Sequence, residues 1–471
     1  MKRIKFIKPQ YWLMAFVLTG CLAACTNDDI KIGQVDEGNY TVSNEELAFI
    51  NDINGKRMFT VTEFRNEGST ELFVNVPKKA SANSSVTATY DKSVLDTYNA
   101  NNNSDYEGFP EQHVTFDKEG IITLNAGEMK SSGLKISFTS DGTLSTDKSY
   151  VIPLRMKVTS GNFKLAQEDE TRLIFVKDLT GLPDCQKESG IKVFSCMEVN
   201  DTNPLNNLSF TLKKSGKPLI DVLIIFSANI NYDEKTGRVY IYNNENVQAI
   251  LDKREHYLKP LQDRGMKVIL GILGNHDRSG IANLADETAK AFAQEVKAMC
   301  DAYNLDGIFV DDEYSKYETQ NITPGFVFPS KQAAARLCYE VKMAQPDRWV
   351  IAYAYSTTYG LPAVDGKQSG EFVDYALHDY GGSSDLGRYF PGMPKMNMGL
   401  HSQEYSRGYW AYESQLVQMR KNGYGSHMIF AMDPNRWNFE YGQLTSMQSI
   451  ARAFYDDELV FDGKKYPKDW K

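Results

Sequence analysis

The chain has 471 residues, 42% of them apolar, and a formal net charge of −9. At ~100–200 residues per domain, that length predicts more than one domain, each with a sizeable core. The acidic balance, with no Lys/Arg-rich block past the first few residues, excludes a general nucleic-acid binder, which needs a basic patch against phosphates.

Lys2, Arg3, Lys5 and Lys8 precede the apolar run "YWLMAFVLTGCLAAC". That run is too short to span a bilayer, which takes ~20 apolar residues. Small residues precede Cys21 in "LTGC" and Cys25 in "LAAC", and both stretches resemble the lipobox of bacterial lipoproteins. Cleavage before Cys25 is expected, because the polar "TNDDIK" follows it directly. Cys21 and an ordinary cleaved signal peptide are the alternatives. Residues 1–24 are thus a signal peptide, Cys25 the lipidation site and 25–39 a flexible acidic tether. The acidic residues after Cys25 resemble the signal that exports lipoproteins of Bacteroidetes to the cell surface. The expectation is an outer-membrane protein held by its lipid anchor only, on the cell surface, with the periplasmic face as the alternative. Cys185, Cys196, Cys300 and Cys338 show no CxxC spacing and no His at metal-ligand spacing. No metal site is predicted. A Cys185–Cys196 disulfide is one reading in an oxidising compartment, buried free thiols the other.

Residues 40–176 read as β. "RMFTVTEF", "TELFVNVP", "SSVTATYD", "GIITLNAG", "LKISFTS" and "YVIPLRMKV" alternate apolar and polar residues between Asn, Asp, Gly and Ser turns. "NANNNSDYEG" reads as a polar loop. Such spacing predicts a β-sandwich-like module, with no catalytic cluster. It resembles the domain of unknown function 1735 that precedes glycosidase domains in Bacteroidetes lipoproteins, which implies spacing or glycan binding. Residues 177–190 form the linker.

From 191 to 471 the rhythm changes to strand and helix. "KVFSCMEV", "DVLIIFSA", "KVILGIL", "GIFVDDEY", "WVIAYAY", "VDYALHDY", "MNMGLHS" and "SHMIFAM" are eight near-continuous apolar strands. Amphipathic stretches lie between them: "NENVQAILDKREHYLKPLQDRG", "ADETAKAFAQEVKAMCDAYN", "SKQAAARLCYEVKMAQ" and "YESQLVQMRKNG". The fold class is α/β, a TIM (β/α)8 barrel behind an all-β sandwich-like domain. Chemistry in that barrel sits at the C-terminal ends of the strands.

"LDGIFVDDEYSKY" places Asp306, Asp311, Asp312 and Glu313 in or beside the fourth strand. Carboxylates are costly to bury. With period-two alternation, Ile308 and Val310 face the helices, while Phe309, Asp311 and Glu313 face the barrel interior, Glu313 last. Two adjacent, partly desolvated carboxyls resist double ionisation, which suits Glu313 to general-acid work on a glycosidic oxygen. A salt-bridged strand end is disfavoured because the strand holds no Lys or Arg. A metal site is disfavoured because hard-cation ligands come from loops. Both acids approach a sugar from one side, so Asp311 is poorly placed to attack the anomeric carbon. Substrate assistance by a 2-acetamido group remains.

"LDGIFVDDEY" resembles the DxxDxDxE signature of glycoside hydrolase family 18, most closely its endo-β-N-acetylglucosaminidase branch of the Endo F and Endo H type. "MEVNDTNPLN", "IIFSANINYDEKTG", "ILGNHDRSGIANL", "VDYALHDYGG", "HSQEY" and "GYGSHMIFAMDPNR" extend the likeness along the C-terminal half. The resemblance implies Glu313 as acid/base, Asp311 orienting the acetamide and Tyr380 bonding its carbonyl. Phe309 stands where the wider family has Asp, as the Endo F–like branch tolerates. Asp306 is expected to be structural. Asn200, Asn229, Asn275, His276, Gln403, Glu404, Asp433 and Asn435 are strand-end candidates for sugar hydroxyls, with loop capping as the alternative for each. Phe309 and Tyr355 are further candidate sugar contacts; Tyr353 and Tyr359 offer aromatic faces, and His378 is a wall histidine or a ligand. The implied substrate is an N-glycoprotein or free N-glycan, high-mannose or hybrid, cut within its chitobiose core by a monomer without cofactor. A chitinase and a non-catalytic glycan-binding barrel are the alternatives.

Overall fold

The computed structural model describes residues 46–470. The expected signal peptide, Cys25 and the tether lie outside them. Residues 46–178 form two facing sheets. One has the strand order Phe163–Leu165, Glu46–Asp52, Glu67–Asn75, Leu134–Thr139, Val114–Phe116. The other runs Thr60–Phe64, Thr171–Asp178, Tyr150–Ser160, Ser84–Tyr90, Ile121–Leu124, with Glu107–Gly108 beside Tyr150–Ser160. Alternate residues such as Leu72, Val74, Ile136, Val86, Ile152 and Leu154 fill the space between them, as a sandwich requires. Part of the expected polar loop is helical instead. Asp91 caps Lys92–Asn102 by accepting from Ser93 N at 2.9 Å, Val94 and Leu95 are buried, and Asn103 ends the helix at φ 49°. The last sandwich strand extends to Asp178, so the chain leaves the sheet two residues inside the stretch read as linker.

Eight strands then build the barrel: β1 (Lys192–Glu198), β2 (Val222–Asp233), β3 (Lys267–Gly274), β4 (Gly307–Val310), β5 (Trp349–Ala354), β6 (Tyr375–His378), β7 (Gln403–Glu404) and β8 (Ser426–Phe430). They pair in parallel from β6 through β5, β4, β3, β2 and β1 to β8 and β7. Parallel bridges Ala376–Met398 and Tyr380–Ser402 join the two ends. The seventh strand is therefore regular only at Gln403–Glu404, beyond the expected 396–402, because Lys395–Asn397 turn as a 3₁₀ helix. Phe194, Cys196, Ile224, Ile269, Phe309, Ile351 and Met428 fill the interior. Ile308 and Val310 join the outer shell beneath the helices.

The helices include α1 (Glu245–Asp252), α2 (Asp286–Tyr303), α3 (Lys331–Ala344), α4 (Glu413–Lys421) and α5 (Leu444–Tyr455). Ser330 caps α3 through Ala333 N at 3.2 Å. The long helix expected after β2 breaks into α1 and two single turns, at Lys253 and at Leu258; Pro260, which lacks an N–H, opens the last of them. The helix α5 had no counterpart among the expected stretches. Cys185, Cys196, Cys300 and Cys338 are free and buried, so the Cys185–Cys196 pairing does not form. The sandwich is fastened to the barrel by several polar contacts. Glu371 accepts from the amides of Arg57 (2.7 Å) and Met58 (3.2 Å), and Tyr106 donates to Asp347 at 2.6 Å.

Candidate active site

The regular ladder of β4 ends at Val310, yet the chain stays extended. Asp311 N donates to Ile272 O and Gly274 N to Glu313 O, both at 3.0 Å. Alternation therefore carries on past the strand: Phe309 and Asp311 are buried and Glu313 is half-buried. A cavity of about 80 Å³ opens there, lined by Phe309, Asp311, Glu313 and Tyr380. Asp311 is only 3% exposed and its Oδ1 meets no hydrogen-bond donor. A buried polar atom without a partner is expensive, and here it faces a cavity that a donor can enter. Burial, then the charges of Glu313 and Asp312, hold the Asp311 carboxyl well above the usual aspartate range. Burial also raises Glu313, with Arg407 opposing and Asp312 adding to the rise.

The four acids divide their labour. Asp312 turns away from the cavity and accepts from Tyr317, Ser356 (3.1 Å) and Thr357, bracing the loop after β4 against the loop after β5. Asp306 lies at the opposite end of the barrel. It accepts from Val268 N at 2.9 Å and pairs with Lys267 at 3.2 Å. Burial works against its charge, but Lys267 and Lys177 hold it below the ordinary aspartate range.

Tyr380 lies across the cavity with its ring stacked on Phe430, 6.1 Å between centroids. Its hydroxyl accepts from Arg407 Nη1 at 3.0 Å. Burial, against the pull of Arg407, pushes the phenol up to about 12, so it remains a donor. Non-glycine residues with positive φ gather at this rim: His276 (59°), Tyr314 (61°), Ser356 (47°) and Ala431 (57°). Such strained backbone concentrates at functional sites.

Relatives decide the family. An endo-β-N-acetylglucosaminidase F1 from Elizabethkingia meningoseptica is 58% identical over 284 residues, covering 60% of this chain and 84% of the relative. The chain belongs to the endo-β-N-acetylglucosaminidases. An endo-β-N-acetylglucosaminidase from a Flavobacterium strain is 34% identical over 254 residues, 53% of this chain and 78% of its own length. The crystal structure of Bacteroides thetaiotamicron EndoBT-3987 with Man5GlcNAc product superposes with a TM-score of 0.83 at 35% identity, covering 90% of this chain and 98% of that one. The same protein with Man9GlcNAc2Asn substrate gives 0.76 at 32% identity with the same coverage. A family model described as an N-terminal domain matches residues 40–162. The chain is thus a glycoside hydrolase.

The remaining expected site residues scatter around the rim of this hydrolase. Tyr355 is 40% exposed and stacks on Tyr353, 5.8 Å between centroids. His276 is exposed and packs edge-on against Tyr314. Asn229 donates to Gly274 O and Asn275 to Asn231 Oδ1, both at 3.1 Å. Asn200 is exposed and accepts from Asn246 at 3.1 Å. Two candidates need correction, and two more show their loop-capping alternative. Gln403 is fully buried, and its amide is committed to His427 (2.9 Å), Ala411 N (2.8 Å) and Ser446 (2.7 Å). Glu404 is equally buried and accepts from Ser406 N at 2.9 Å and from Arg407 N, so it shapes a loop and reaches no sugar. Asp433 accepts from Asn435 N at 2.9 Å, and the Asn435 side chain bonds Tyr466 O at 3.2 Å; the two residues close a turn. His378 is a satisfied wall residue, bonded to Ser384 at 2.8 Å.

Two charged cavity residues escaped the sequence reading. Glu198 ends β1, and the alternation Phe194, Cys196, Glu198 points it inward, a signal present in "KVFSCMEV". Arg407 comes from the loop after β7, which carries no periodic signal. The largest cavity described, about 990 Å³, lies at the other end of the barrel against the sandwich. Its charged walls are already neutralised by pairs such as Lys342–Asp374 (2.9 Å) and Lys267–Asp306, and it is remote from the paired carboxyls.

Proposed function

We propose that this enzyme hydrolyses the GlcNAc-β1,4-GlcNAc bond in the chitobiose core of N-linked glycans, high-mannose or hybrid, with retention of configuration. The observation that carries the reading is the donor-less Oδ1 of buried Asp311 beneath Glu313 on one barrel wall. A retaining enzyme with an enzymic nucleophile needs carboxyls on both faces of the sugar; a substrate that attacks with its own acetamide oxygen does not. Asp311 accepts from the acetamide N–H and steadies the positive charge that grows there as the carbonyl oxygen bonds to the anomeric carbon. Tyr380 donates to that carbonyl oxygen. Glu313 gives its proton to the departing glycosidic oxygen, then takes one from the water that opens the oxazoline-type intermediate. The coupled pair holds one proton between them, and ionisation of Asp311 on meeting the N–H leaves that proton on Glu313.

The test is incubation with a high-mannose glycoprotein and, separately, with chitin oligomers. A gel shift on the first, leaving one N-acetylglucosamine on asparagine, is expected. Faster turnover of chitin oligomers would mark a chitinase, and binding of both without cleavage a lectin-like barrel. Glu313→Gln should stop hydrolysis while glycan still binds.

The same reading takes residues 1–24 as a leader and Cys25 as the lipid attachment point of a monomeric, surface-facing outer-membrane protein. Its support is the lipobox-like "LAAC" and the acidic stretch after it. Labelled fatty acid should enter the wild-type chain and not Cys25→Ala. Protease added to intact cells should degrade it if it faces outward.

A further inference from the structure

The cavity holds a carboxylate and a guanidinium to which the chemistry above gives no step. Glu198 enters from β1 and Arg407 from the loop after β7, and both line the space in front of Glu313. Glu198 is half-buried, and among the described residues its carboxylate takes no hydrogen bond or ion pair. Its charged neighbours are the like charges of Asp201 and Glu404 and the opposite charges of Arg436 and Arg407. The Arg407 guanidinium donates to the Tyr380 hydroxyl and, among the described residues, to no carboxylate. Its loop is not slack. Glu404, buried beneath it, accepts from Ser406 N and Arg407 N, while Glu404 and Tyr409 exchange backbone bonds at 3.0 and 2.9 Å. The backbone that carries Arg407 is therefore anchored by a dedicated carboxylate, and the exposed guanidinium is aimed by its bond to Tyr380.

Opposite charges sharing a small cavity normally close on each other. A half-buried carboxylate and a guanidinium that stay apart leave room for a neutral group able to both donate and accept. A hydroxyl does both: its O–H donates to the carboxylate and its lone pairs accept from the guanidinium. A cation or an anion would satisfy one wall and be repelled by the other.

We propose that Glu198 and Arg407 bracket one sugar ring of the substrate, Glu198 accepting from one hydroxyl and Arg407 donating to another, and so select which glycan is held for cleavage. This deepens the N-glycan reading and rests on it. The pair is a binding device for that ring. Neither residue moves a proton in the reaction.

The experiment uses full-length protein and a high-mannose N-glycopeptide. A hydrogen bond to a charged group corresponds to roughly a ten- to hundredfold effect. Glu198→Gln should raise KM by about that factor with kcat little changed, and in the Glu313→Gln background weaken glycan binding by calorimetry equally. Its melting temperature should hold or rise, because burial opposes the Glu198 charge and the pulls of Arg436 and Arg407 are offset by Asp201 and Glu404. Arg407→Gln should weaken binding alike, and the double variant should bind no worse than about its weaker parent, as expected for two groups holding one ring. Unchanged KM and Kd in Glu198→Gln would overturn the proposal, as would a lowered melting temperature accompanying the loss. A wild-type enzyme that leaves the N-glycopeptide intact would instead overturn the N-glycan reading itself.

Discussion

The amide of Gly274 donates to the carbonyl oxygen of Glu313 at 3.0 Å, and a Cβ on that glycine would stand only 2.5 Å from the same oxygen. The end of β3 thus sets the position of Glu313, three residues past β4, by direct backbone contact. Gly274→Ala should push the Glu313 segment outward. Because a displacement of ~1 Å in a catalytic group costs on the order of a hundredfold, kcat should fall by about that much with KM nearly unchanged. Steady-state kinetics on a released glycan checks this, and a wild-type kcat would show that the contact yields without consequence.

Asp311 makes stability depend on pH in a defined direction. Its folded carboxyl titrates well above its unfolded value of 3.8, so the folded state binds this proton more tightly than the unfolded chain. That contribution is fully present below 3.8 and is lost as pH rises through the folded value. Asp311→Asn removes the titration. Calorimetric melting from pH 4 to 8 should show a gap in favour of the variant that widens with pH, while its hydrolysis drops to background. A gap that stays constant with pH would mean Asp311 is ionised in the free enzyme.

Asp306 should behave in the opposite way although it belongs to the same short motif. Its side chain is 11% exposed and paired with Lys267. Asp306→Asn leaves Lys267 with Glu63 as its remaining carboxylate partner and should cost about 2 kcal/mol at pH 7 by denaturant unfolding, as for a lost hydrogen bond to a charged group. Since its carboxyl is held below the ordinary aspartate range, the cost should persist down to ~4 and shrink as pH falls below it. Turnover per folded molecule should be that of the wild type. Lost turnover in fully folded variant would place Asp306 in the reaction after all.

Tyr380 offers its hydroxyl to the cavity with Arg407 behind it. Tyr380→Phe deletes the donor that aims the acetamide oxygen at the anomeric carbon. Misplacing an attacking atom costs about a hundredfold in kcat, and with the ring still packed on Phe430 the melting temperature should not move. Activity within twofold of wild type would remove the phenol from the mechanism.

The barrel was legible because its strands are buried on both faces, so each reads as an apolar run of strand length between amphipathic helices. Asp311 and Glu313 were legible for a related reason: acids in an apolar run are costly, and alternation from Phe309 points both inward. The same alternation from Phe194 marks Glu198, which a reading centred on the exposed Asn200 passes over. Gln403 and Glu404 went wrong at a strand end where polar side chains look alike whether water, sugar or core lies beyond. In the fold, His427 and Ser446 wait for Gln403, and two loop amides wait for Glu404.

Local covalent order therefore determined the periodicities, the eight-strand count and the placement of two adjacent acids on one wall, since each depends on residues a few positions apart. Which carboxyl stays donor-less, which is neutralised by Lys267, and that Arg407 meets Tyr380 across the mouth were decided by the tertiary structure. Burial and partnership are set by segments tens to hundreds of residues apart, and short-range pattern carries no record of them.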